Sequence, residues 1–138
     1  MATLKLTKET IQPYLKKIKE LDMIVPDWWN ELTPEDIAHC YNGVGSELTW
    51  KPLRQALSFI FRWALCAVII HDTIWTYVEQ KELTLEDFYD SNENLKINAR
   101  KQLAANTSRG NPLYWYRYYN AWRAQKACDL FGKEAWNE

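Results

Sequence analysis

Glycine is scarce in this chain, with four residues in 138, and two of the four, Gly43 and Gly45, flank a single residue. Cysteine is sparse as well: Cys40, Cys66 and Cys128 make an odd set whose spacing matches no zinc motif. That excludes a disulfide framework and predicts buried free thiols in a reducing compartment. Neither sign of charge dominates, since 17 basic and 18 acidic residues leave a formal net charge of −1. No nucleic-acid partner is expected from that balance. Long apolar runs are missing too. The longest, residues 64–70, is far shorter than the roughly 20 residues that span a bilayer. The first eight residues have no apolar centre of the signal-peptide kind, so the expectation is a soluble, cytoplasmic protein. No stretch alternates apolar and polar residues as a half-buried strand would.

What remains is enough for a core. Hydrophobic residues make up 47% of the sequence, and a chain of this length buries roughly two thirds of its unfolded surface. The pattern predicts one all-α domain over residues 1–138, with about five helices. Residues 1–30 read as an N-terminal helix and linker, and 31–138 as the core. Thr7 caps a first helix reaching to about Leu21, with Pro13 delaying or bending its start. Thr33-Pro34-Glu35-Asp36 is a helix start, with a hydroxyl cap, proline in the first turn and acids behind it. Helical spacing covers 53–79, with a break near Phe61-Arg62. Thr84 opens a helix to about Ala105, and residues 106–112 form a loop. The last long helix runs from Pro112 to about Phe131, with Gly132 at its end.

Aromatic residues are abundant, with eight Trp and eight Tyr. Most fall at helical spacing, which predicts that they fill the core and the helix seams. The cluster 114–119 with Trp122 reads as one inward-packed aromatic face, with Arg117 and Arg123 outside. The other reading is an amphipathic surface that meets a membrane or stacks on nucleic acid.

Two segments carry chemistry. Residues 64–70 leave no polar face over two helical turns, so that helix is buried all round. It delivers His71 and Asp72 into the same interior. Successive helical residues point about 100° apart, so the two side chains diverge and serve separate stations. Imidazole accepts a proton near neutral pH, and a carboxylate binds a hard cation. Alternatively, His71 is a hydrogen-bonded core residue and Asp72 a capping or ion-pairing one. Upstream, the glycines in Asn42-Gly43-Val44-Gly45 permit backbone conformations closed to other residues. Such a loop can turn carbonyls toward a cation or an amide toward an oxyanion, or can be a tight turn only. His39, just before the loop, is a weaker candidate ligand.

A Tyr41-Asn42-Gly43-Val44-Gly45 loop followed by a helix bearing His71-Asp72 resembles the calcium loop and catalytic helix of secreted phospholipase A2. It is similar as well to small phage and prophage proteins that combine an Asn-Gly-x-Gly segment, an Ile-His-Asp helix and a later polar helix, here residues 91–98. The resemblance implies a phospholipase A2-like core with two long antiparallel helices and a calcium-dependent hydrolase of phospholipid esters. It implies His71 as general base, Asp72 as calcium ligand with the carbonyls of Tyr41, Gly43 and Gly45, and the Gly43 amide at the oxyanion. Asn92 stands where the enzymes orient the histidine with an aspartate, with Asp90 as a register-shifted alternative. Trp75 stands where they carry a tyrosine. Phospholipid or a membrane surface is then the implied partner. The alternative is a non-catalytic helical phage component that binds a partner.

Overall fold

The computed structural model describes residues 6–41, 60 and 62–136, and among these all regular structure is helical. The glycine loop and the first part of the helical pattern predicted over 53–79 lie outside the described residues. Five α-helices of eight residues or more are α1 (Gln12–Glu20), α2 (Pro34–Tyr41), α3 (Leu65–Thr76), α4 (Leu85–Asn106) and α5 (Pro112–Phe131). A single turn, α6 (Lys133–Trp136), follows α5, and a 3₁₀ turn spans Trp29–Glu31. None of these helices is long and apolar enough to cross a membrane.

The starts follow the caps written in the sequence. Thr84 and Asp87 form a reciprocal capping box at α4, and Thr33 and Asp36 exchange the same pair of bonds at α2. Asn111 accepts from the Leu113 amide, and Pro112 fills a first-turn position where no N–H is missed. The first helix begins later than Thr7. Thr7 and Thr10 bond each other's amides in a preceding turn, and α1 starts only beside Pro13. Asp22 and Glu82 adopt positive φ, 50° and 51°, just after the first and third helical stretches. That backbone cannot continue a right-handed helix.

The centre of the molecule is α3. Nine of its twelve residues are buried, as the unbroken apolar run requires, and α1, α2 and α4 pack around it. The two long helices, α4 and α5, pack on each other. They run antiparallel: Arg100 donates to the Tyr118 carbonyl near the connecting loop, while Asn92 meets Asp129 far from it. Small residues make this approach possible, because Ala121, Ala124 and Cys128 of α5 are each 0% exposed.

That inner face corrects the sequence reading of α5. Tyr114 packs inward, but Trp115, Tyr116, Tyr119 and Trp122 are exposed, and Arg117 is half-buried. The six aromatics of 114–122 spread over about 200° of the helix, and most of that arc faces away from the core. Alanine and cysteine pick the buried side. All three cysteines are free and buried, as expected.

Gly132 caps α5 with φ −90°, a conformation open to any residue. Glycine is required there by space. A Cβ would lie 2.7 Å from the Cys128 carbonyl oxygen and collide with the Trp75 ring. Trp75 in turn packs against Phe88 and the edge of Trp136. The linker after α1 is fixed by one side chain: Asn98 of α4 accepts from the Ile24 amide at 2.8 Å and donates to the Ile24 carbonyl at 2.9 Å.

Candidate functional site

His71 sits in the last two turns of α3 and is 3% exposed. Its Nε2 lies 2.9 Å from the Oδ1 of Asn92, a fully buried residue of α4. The other end of that amide donates from Nδ2 to Asp129 Oδ1, 2.9 Å away on α5. Three helices thus contribute one residue each to a chain of hydrogen bonds.

The chain sets the histidine tautomer. A carboxylate only accepts hydrogen bonds, so Asp129 must face the NH₂ end of Asn92. The carbonyl end then faces His71, and Nε2 must carry the proton that it accepts. In the neutral ring the proton on Nε2 leaves Nδ1 as a bare lone pair. Among the described residues no hydrogen bond reaches Nδ1. Burial holds the ring neutral by pushing its pKa down to about 4, an effect that the Asn92 bond partly opposes.

One turn further on, the Trp75 ring tilts against the imidazole with centroids 4.8 Å apart. Its Nε1 donates to Ser91 Oγ at 3.2 Å, and that hydroxyl donates to the Phe88 carbonyl at 2.7 Å. Trp75 therefore braces one wall of the histidine from the side of α4.

Asp72 points elsewhere, as the 100° step requires. It is half-buried; its carbonyl accepts from Thr76 Oγ1, and among the described residues its carboxylate makes no hydrogen bond or ion pair. Burial pushes its carboxyl up to about 7. Burial also raises Cys40 and Tyr41 at the end of α2 and Cys128 of α5, and the Asp72 charge adds to each. The structure thus brings His71 to Asn92, and Asp72 near Tyr41. Gly43 and Gly45 lie outside the described residues. Asp90 is exposed and takes no part in orienting His71, and His39 is exposed on α2.

Among the described residues no group of three or more His, Cys, Asp or Glu side chains converges as a metal cage. Asp72 would be the side-chain donor of a cation site completed by backbone carbonyls, of which Tyr41 at the C-terminus of α2 supplies one. Helix C-termini present unsatisfied carbonyls and a partial negative charge, which suit a cation. An open depression of about 360 Å³ lies at Lys8, Glu9, Gln12, Thr33, Pro34 and Glu35, and it involves none of the site residues.

Sequence reasoning missed Asp129 and Ser91. The signal for Asp129 was available: it stands in the last turn of a helix, where the dipole disfavours an anion. Such a residue needs a specific donor, here Asn92. Comparisons with protein-family models, with curated proteins and with solved structures find no match for this chain. The class of protein defined so far is therefore an all-α domain with a buried, oriented histidine.

Proposed function

We propose that this chain is a phospholipase A2-like, calcium-dependent hydrolase of phospholipid esters with His71 as its general base. The observation that carries the reading is the Asp129–Asn92–His71 chain, which leaves Nδ1 as the one proton-accepting nitrogen. Nδ1 takes a proton from water as the water oxygen attacks the ester carbonyl carbon. Asn92 and Asp129 stabilise the imidazolium that forms. The same proton then passes to the departing alkoxide oxygen as the acyl C–O bond breaks, giving a fatty acid and a lysophospholipid. The Gly43 amide would face the oxyanion. A calcium ion, held by Asp72 with the carbonyls of Tyr41, Gly43 and Gly45, would supply Lewis-acid polarisation of the ester carbonyl. The half-buried Asp72 carboxylate, which has no hydrogen bond or ion pair among the described residues, supports that assignment.

A second reading is a non-catalytic helical protein, such as a phage structural or accessory component. It is favoured by the burial that makes His71 a weak base, with a value of about 4. The two readings separate in one assay, fatty-acid release from mixed micelles with and without Ca²⁺. The hydrolase reading expects calcium-dependent release that falls at least about a hundredfold in His71→Gln. Equal activity in the variant removes His71 as the base. No release from either protein leaves the second reading.

A further inference from the structure

Among the described residues no element packs on the exposed aromatic side of α5. Trp115, Tyr119 and Trp122 are 55%, 53% and 41% exposed. With Lys126 they recur at i, i+4, i+7 and i+11, which is one stripe along about 17 Å of helix. Leu130, 73% exposed, continues it at the C-terminal end. Cations lie along it: Lys126 is exposed within the stripe, the Arg123 guanidinium lies over Tyr119, and the exposed Arg109 accepts the Trp115 indole N–H at its carbonyl. Residues 94–128 hold seven Lys and Arg and no Asp or Glu. Since the whole chain has a net charge of −1, the remaining residues carry −8.

An anionic partner is therefore called for, and the aromatic geometry distinguishes between two kinds. A single-stranded nucleic acid needs open ring faces on which bases can stack. Here the faces are engaged. Tyr119 and Trp122 stack on each other at 5.9 Å and 24°. The Arg123 guanidinium lies over Tyr119, and Trp115 tilts against Tyr118. Trp115 also spends its indole N–H on the Arg109 carbonyl. What remains exposed is a stripe of stacked aromatic side chains with a leucine at one end, Lys126 within it and Arg123 beside it. That is the chemistry of a bilayer interface, where amphipathic rings sit at headgroup depth and Lys or Arg meet anionic lipid.

We propose that the Trp115–Tyr119–Trp122–Lys126 face of α5 docks this protein on anionic lipid bilayers, lying in the interfacial plane. The face is separate from His71, so docking and hydrolysis can be read apart.

The test is co-sedimentation with vesicles of ether-linked phosphatidylcholine, with or without one quarter ether-linked phosphatidylglycerol. Ether lipids offer no ester to hydrolyse, so binding is measured alone, and His71→Gln should bind like the wild type. The expected result is binding at least about tenfold tighter to the anionic vesicles, at roughly 1 kcal/mol per surface cation. Trp115→Ser with Trp122→Ser should weaken binding about tenfold or more. Arg109→Glu with Lys126→Glu, both at exposed positions, should remove the preference for anionic lipid. The proposal is overturned if the wild type binds neither vesicle, if both double variants bind unchanged, or if a single-stranded oligonucleotide displaces the protein from vesicles at stoichiometric ratio.

Discussion

Replacing Asn92 with leucine should lower the unfolding free energy by about 3 kcal/mol at pH 7. Leucine has the same branching and number of side-chain heavy atoms, so no cavity opens; the loss comes chiefly from the hydrogen bonds, with the bulkier methyls adding some overpacking. Asn92 is fully buried and joins His71 Nε2 to Asp129 Oδ1, both at 2.9 Å. Removing it leaves a buried imidazole N–H and a half-buried carboxylate each without a mate. An orphaned polar group costs roughly 1–3 kcal/mol, more when charged. Urea denaturation of the two proteins measures the difference. A loss below about 1 kcal/mol would mean that water or a rearranged side chain satisfies both ends. The double variant Asn92→Leu/Asp129→Leu should recover part of the stability, because it removes the orphaned carboxylate.

The pH dependence of stability offers a second large effect, in which two groups oppose each other. Asp72 is raised to about 7 from an ordinary value of 3.8. The native state keeps this proton where the unfolded chain has released it. Stability from this group is complete below pH 4 and is lost as pH rises to about 7. His71 is lowered from 6.5 to about 4. Here the unfolded chain takes up a proton first, so stability is complete above pH 6.5 and is lost as pH falls toward 4. The two slopes nearly cancel between pH 4 and 6.5. Asp72→Asn removes only the first. In buffer with a chelator, that variant should match the wild type near pH 4 and exceed it by about 3 kcal/mol at pH 8. That figure lies below the full linkage value because a half-buried carboxyl retains some water. Its stability should rise with pH from 4 to 6.5, where the wild-type curve is flat. Parallel curves for the two proteins would show that Asp72 is ionised and solvated in the native state.

The helix starts were legible because each is a local event. Thr33, Thr84 and Asn111 bond amides two or three residues away, and no distant contact is needed to place them. The burial of α3 was legible for a related reason, since an apolar run without a polar face has only one stable environment. The packing of α5 was not. Its large aromatics occupy about 200° of the helix and draw the hydrophobic pattern to that side, while the contact with α4 is made by alanines and a cysteine, whose weight in any hydrophobic pattern is small. The Asn98 bonds to Ile24 and the close approach of Gly132 to Trp75 were not legible, because those partners lie far away in sequence. At the site, the pairing of His71 with Asn92 came from the resemblance to phospholipase A2 and not from spacing. Asp129 completes that pairing from a third helix, and only the folded chain brings it there.

The oriented, neutral His71 is the centre of this account, and nitrogen-15 NMR of its imidazole between pH 8 and pH 5 tests it most directly. The account predicts a protonated Nε2 and a bare Nδ1 at pH 8, with the neutral ring still predominant at pH 5. A proton on Nδ1, or an imidazolium forming near the ordinary histidine value of 6.5, would contradict it.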